Sequence, residues 1–242
     1  MEGNRVTEIK LDSVLFKLRI GGELACFTRP EMKVERVSYE VITPSAARGV
    51  LEAILWKPAI QWVVRRIHVL RPVRWIGFKR NEVTKKLALT GVGKAMRGTT
   101  FLEPLVVDED GNRAQRHTLA LRDVEYVIEA GFRMVPDKAG PEDNPMKFSE
   151  MFLRRLEKGQ CFRTPYLGCR EFAAWFRPVS EPFQAIEETR DLGLMLYDVK
   201  FGPTNGTHHY PEARPHFFHA HMERGVIAVN RPDSWSKKEE AR

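Results

Sequence analysis

Between Asp12 and Ile20 apolar and polar residues alternate: Val14, Phe16, Leu18 and Ile20 fall on one face, Lys17 and Arg19 on the other. A period of two is that of a half-buried strand, here closed by Gly21-Gly22. The period then changes. Thr43-Pro44 offers an N-cap followed by proline at the first helical position, and Ala47, Val50, Leu51, Ile54 and Leu55 recur with helical spacing until Pro58 stops the run after Lys57. Ile60 to Val69 is β-rich and predicts a second strand. From Val124 the period of two returns, with Tyr126, Ile128, Ala130, Phe132 and Met134 on one face and Glu125, Glu129 and Arg133 on the other. Asn144-Pro145 repeats the cap logic for a second helix, whose buried stripe is Phe148, Phe152 and Leu156 and whose stop is Gly159. Tyr166 to Phe176 completes the series as a fourth strand.

The order strand, helix, strand, strand, helix, strand is that of an α+β, ferredoxin-like unit, the pattern that RNA-recognition domains also use. The segment 177–191, with Pro178 and Pro182, reads as a linker. Beyond it, 192–201 and 217–229 read as strands of a small antiparallel β-sheet domain. The expected division is therefore 1–178, a modified RNA-recognition domain, and 179–242.

Residues 71–118 break the regular pattern. Arg71, Arg74, Lys79, Arg80, Lys85, Lys86, Lys94 and Arg97 stand against one acid, Glu82, within 71–98, and Gly77, Gly91, Gly93 and Gly98 interrupt them. Asp108-Glu109-Asp110-Gly111 marks a turn beyond. The stretch reads as a long basic insertion between two strands, partly flexible. Trp75 and Phe78 add planes on which unpaired bases can stack.

Charge sharpens that picture. With 39 Lys and Arg against 32 Asp and Glu, the formal charge is +7, and such a surplus favours a polyanion partner. No apolar run approaches the ~20 residues that span a bilayer, so a membrane partner is not expected. Met1 to Lys10 has no hydrophobic export core, and Cys26, Cys161 and Cys169, without CxxC spacing, read as reduced thiols; a cytoplasmic protein is expected.

Three sets of residues could carry chemistry. Arg116-His117 has the right types for metal-free RNA cleavage, in which a histidine moves protons and an arginine steadies the phosphorane. In a regular strand these neighbours point to opposite faces, so acting together requires a loop; by spacing alone, a surface pair is the commoner reading. His208, His209, His216, His219 and His221 raise the question of a metal, and His219, His221 and Glu223 would share one strand face. With no cysteine nearby and no third element evident, no metal and no cofactor are expected. Thr90-Gly-Val-Gly-Lys94 lacks the full nucleotide-binding pattern, because Ala95 follows the lysine.

Several stretches together resemble a known family: Phe27-Thr28-Arg29-Pro30, the run from Val37 to Pro58 with its Thr43-Pro44-Ser45-Ala46-Ala47-Arg48-Gly49 and Trp56-Lys57-Pro58 segments, Gln115 to Val124, and Tyr166-Leu167-Gly168-Cys169-Arg170-Glu171-Phe172. In matching order over nearly the whole chain, they resemble the CRISPR-associated Cas-five family in its subtype I-C branch. That resemblance implies an endoribonuclease that cuts precursor CRISPR RNA in the repeat hairpin without a metal, by 2′-hydroxyl attack, and then stays on the 5′ handle beside the backbone and large subunits of Cascade. It also implies a catalytic tyrosine, lysine and histidine. The lysine–histidine pair falls on Arg116-His117 and the tyrosine on Leu55, so Tyr39 is the candidate substitute phenol. Arg48, Lys79, Arg80, Lys85, Lys86, Lys94, Arg97 and Arg113 are the expected phosphate contacts. A weaker affinity for DNA follows from the same charge. The rival readings are a subunit that only caps the 5′ handle, favoured by Leu55, and a DNA-binding or DNA-cleaving metalloprotein using the C-terminal histidines.

Overall fold

A computed structural model describes residues 10–85, 88–104, 106–107, 111–202 and 213–232. Among them nine strands form a mixed α/β architecture, mostly antiparallel, with three α-helices. The strands are β1 (Phe16–Ala25), β2 (Arg36–Val37), β3 (Ile60–Val69), β4 (Trp75–Val83), β5 (Arg113–Met134), β6 (Trp175–Pro178), β7 (Arg190–Phe201), β8 (Ala213–Glu223) and β9 (Val226–Ala228). The helices are α1 (Pro44–Ile54), α2 (Leu89–Met96) and α3 (Pro145–Glu157). The main sheet runs β6-β1-β5-β3-β9-β8-β7, with β2 and β4 joined to β5.

Both long helices start as their sequences dictate. The Thr43 side chain accepts the Ala46 amide and Asn144 accepts that of Lys147, each just before a proline. α1 ends at Ile54, three residues before the expected Lys57, and Leu55 caps it. The two helices cover one face of the sheet, where Phe16 and Trp62 pack with Phe152 at ring separations of 5.0 and 4.7 Å. Polar residues fill the other face. Glu125 is nearly buried there beneath Arg19, Arg71 and Arg177, and Glu129 beneath Lys17, Arg66 and His68.

Five expectations are corrected. Gly21-Gly22 does not close β1, which runs on to Ala25. Gly21 is required by contact instead, because a Cβ there would lie 2.4 Å from the Trp175 ring. The strand expected from Val124 begins eleven residues earlier, at Arg113, and its first half pairs with β4 from Trp75↔Leu121 to Val83↔Arg113. Much of the basic insertion is thus a ladder plus the short helix α2, which contains Gly91, Gly93 and Lys94. Alternation is present in β4, but the glycines and lysines masked it; Lys86 and the turn at 108–110 lie outside the described residues. The fourth strand shrinks to Trp175–Pro178, since 166–174 is a turn held by one bridge, Tyr166↔Ala173. Finally, the C-terminal strands extend the first sheet. β9 pairs with β3, and Met195, Phe218, Met222 and Ile227 join the main core. The division at 178/179 therefore separates no second core.

Candidate nucleic-acid interface

The first half of β5 and its partner β4 decide where the basic residues point. Residues directly opposite in an antiparallel pair share a face, and Lys79 lies opposite His117. Lys79, His117, Arg113 and Trp75 all lie on the exposed side of this hairpin. Its other side carries Ile76, Phe78 and Ala120, packed on Cys26, Cys169 and Phe172. The imidazole of His117 has no hydrogen-bond partner among the described residues, while its backbone N–H donates to the Glu35 carboxylate.

The expected catalytic set does not converge. Arg116 and His117 are strand neighbours with side chains on opposite faces, and Arg116 turns to Glu35 at 3.7 Å. The cation beside His117 is Lys79. Tyr39 is buried, its hydroxyl bonded to the Leu196 backbone and its ring covered by Arg29 at 4.6 Å. Burial pushes this phenol up from its ordinary pKa, with nearby Glu31 adding to the effect. Leu55, expected to match the family's tyrosine, is fully buried, and its carbonyl accepts the Trp62 indole N–H at 2.8 Å. Trp62 pairs with Phe132, fifteen residues along β5 from His117, which is on the order of 50 Å of strand contour. Leu55 lies in the main core whereas His117 is on the exposed side of the ladder, so the two expected positions are not brought together by any contact among the described residues.

The phosphate contacts divide in the same way. Lys79, Lys85, Lys94, Arg97 and Arg113 are exposed or half-exposed. Arg48 is not available: it is held by Glu52 and Asp198, both at 2.7 Å. Arg80 points inward, bonding Thr118 at 2.7 Å and pairing with Glu82 at 2.8 Å. A cation already satisfied by carboxylates gains little from a phosphate. Sequence reports the charge of these residues but not their partners.

Among the described residues no group of three or more His, Cys, Asp or Glu is placed to hold a metal ion. His219 and His221 share the exposed side of β8, where His219 meets Asp191 at 3.3 Å, and His208 and His209 lie outside the described residues. No helix among the described residues is long and apolar enough to cross a membrane.

One cluster escaped the sequence reading. Cys26 and Cys169 are hydrogen-bonded beneath the hairpin, and Arg36 donates to the Cys169 sulfur at 3.2 Å. The Cys26 thiol and the Arg36 charge hold the Cys169 thiol well below its ordinary value, against burial, while its partner Cys26 is pushed up. Their sequence separation of 143 residues left no local signal.

The chain is similar to known proteins over most of its length. A family model described as CRISPR-associated protein (Cas_Cas5) matches residues 15–230. The chain is 48% identical over 220 residues to the CRISPR pre-crRNA endoribonuclease Cas5d of Mannheimia succiniciproducens, covering 88% of this chain and 93% of that protein. It is 41% identical over 227 residues to the Thermus thermophilus protein of the same name, covering 88% and 90%. Among solved structures it is similar to a CRISPR-associated protein with a TM-score of 0.62 at 23% identity, over 91% of this chain and 93% of that one. Sequence match and fold lead to one conclusion: the chain belongs to the Cas5 family of CRISPR-associated proteins.

Proposed function

We propose that this protein is a pre-crRNA endoribonuclease that cuts the CRISPR repeat in the cytoplasm and remains on the 5′ handle as a Cascade subunit. The observation that carries this reading is the 48% identity, over 93% of its length, to a protein named for that activity. The strand order β6-β1-β5-β3, with α1 and α3 on one face, supports a ferredoxin-like RNA-recognition core. DNA binding on the same cations is a weaker, sequence-independent affinity.

Cleavage without a metal needs a base for the 2′-hydroxyl, a cation for the phosphorane and an acid for the 5′-oxygen. His117 is the proposed proton carrier. Lys79, directly across the ladder, replaces Arg116 as its cation. The test is incubation of the purified protein with repeat RNA in EDTA, with end-group analysis. The wild type yields one cut ending in a 2′,3′-cyclic phosphate. His117→Ala lowers the rate by about 100-fold or more and leaves hairpin affinity within about twofold. Equal loss of binding and cleavage would make His117 a binding residue.

A second reading, a subunit that holds the handle without cutting, is favoured by the burial of Leu55, expected to match the family's tyrosine. In the same assay it predicts tight binding and intact RNA.

A further inference from the structure

α1 buries Ala47, Val50, Leu51 and Ile54 and leaves a second stripe outward. That stripe is small: Ala46, Gly49 and Ala53 succeed one another along the helix before Trp56. The loop 162–173 stands beside it, tied down where the Phe162 and Arg163 amides donate to the Ala53 carbonyl at 2.9 and 3.1 Å. Small residues on the helix and a raised loop beside them make a groove. Two cavities compose it, a larger of about 910 Å³ and a smaller of about 280 Å³; both are lined by Gly49 and Tyr166, so they form a single channel along the helix.

The walls have a definite chemistry. Trp56, Phe162 and Tyr166 are 56%, 67% and 42% exposed. Single exposed aromatics are ordinary, but three facing one channel are not a random scatter. Arg163 lies over the Phe162 ring at 5.5 Å, and Arg170 lines the same cavity. Neither arginine is ion-paired among the described residues. Among the described residues the wall carries one carboxylate, Glu52, and it is turned to Arg48 at 2.7 Å, a cation that Asp198 shares. Exposed rings with unpaired guanidinium groups are the combination that holds unpaired nucleotides, bases on the aromatic faces and phosphates on the cations. The volume, within the range of ligand sites, admits on the order of two or three nucleotides.

We infer that this channel is a stacking site for single-stranded ribonucleotides flanking the repeat hairpin, separate from the β4–β5 face that carries His117. The inference rests on the RNA-processing reading and adds a site to it. The probe is an unstructured pentaribonucleotide, followed by tryptophan fluorescence and by competition, with uncut repeat hairpin measured in parallel. Gly49→Leu is the blocking variant. Nothing lies within 4 Å of a Cβ built at Gly49, so a side chain there fills the channel without disturbing the helix. Trp56→Ala and Tyr166→Ala remove the stacking planes.

Binding of the pentamer to the wild type, weakened about tenfold by each variant while unfolding stays cooperative and Gly49→Leu does not lower Tm, is the expected result. Loss of the fluorescence response in Trp56→Phe at retained affinity identifies the ring that reports. Pentamer binding that is absent, or indifferent to Gly49→Leu, overturns the proposal and is what a protein neighbour on this surface would give. Because hairpin cleavage is scored separately, an intact hairpin with normal pentamer binding overturns the nuclease reading instead.

Discussion

Glu125 shows how much one residue's surroundings change what its letter means. In sequence it is an acid on the outer face of a strand. In the fold it is 5% exposed and receives Arg19 at 2.7 Å and Arg71 at 2.9 Å. Burial alone would raise its pKa, but the hydrogen bonds and charge of Arg71 and Arg19 outweigh that, and the carboxyl sits below its ordinary 4.5. A depressed carboxylate stabilises the fold fully above its unfolded value, and that contribution is lost as pH falls through the folded one. Glu125→Gln is therefore expected to cost about 1–3 kcal/mol at neutral pH, discounted because Arg71 and Arg177 are half exposed. The gap from wild type should close as pH drops below the ordinary 4.5 and through the lower folded value. Urea unfolding of both proteins across that range measures it; a gap that stayed constant would mean that charge is not what Glu125 contributes. The same residue-level limit explains Arg48 and Arg80, whose carboxylate partners lie up to 150 residues away.

Elements show the converse, because local chemistry survives long-range packing wherever the signal is strong. Thr43-Pro44 and Asn144-Pro145 begin α1 and α3 as read from sequence, since a cap and a fixed φ act within about four residues. β3 and the Tyr126–Met134 face were equally legible from their period. β4 and the first half of β5 were not, because their outer side is solvated and carries Lys79, Arg113 and His117, so polar composition imitates a loop. Glycines misled in both directions. Gly21-Gly22 looked like a stop and proved to be a close approach to Trp175. Gly168 has φ +84°, and a Cβ there would fall 2.0 Å from the Cys26 carbonyl oxygen. Gly168→Ala is expected to destabilise by at least about 2 kcal/mol, loosening the 166–174 turn against the end of β1. Gly49→Ala, in a helix with open space around it, is expected to stabilise by about 0.5–1 kcal/mol. Thermal unfolding of the pair gives opposite signs if backbone geometry, and not glycine content, sets the outcome.

At the scale of the molecule the question is which of 39 cations make the protein basic to its partner. The net charge was legible from sequence, but its distribution required the fold. Arg19 and Arg71 are hydrogen-bonded to the one Glu125 carboxylate with Arg177 nearby, which leaves that cluster net positive, and Arg48 and Arg80 are held by their own carboxylates. Lys79, Lys94, Arg97 and Arg113 on the β4–β5 ladder and around α2 are exposed and have no carboxylate partner among the described residues, and the 166–174 turn stands between that ladder and the α1 channel, touching both. This gives two surfaces of different physics, one holding phosphates by charge and the other holding bases mainly by their faces. Released counterions report phosphate contacts and not stacking, at about 0.7 of log affinity per tenfold change in salt for each single-stranded phosphate contact. Repeat-RNA affinity measured from about 50 to about 300 mM salt should thus lose about 0.7 of slope in Lys79→Ala, and the same in Arg113→Ala. Trp56→Ala should lower affinity at every salt concentration while leaving the slope that of wild type. Were Trp56→Ala to flatten the slope, its ring would be positioning a phosphate contact and the two surfaces would be one; were Lys79→Ala to leave it unchanged, the ladder would not be where the RNA backbone lies.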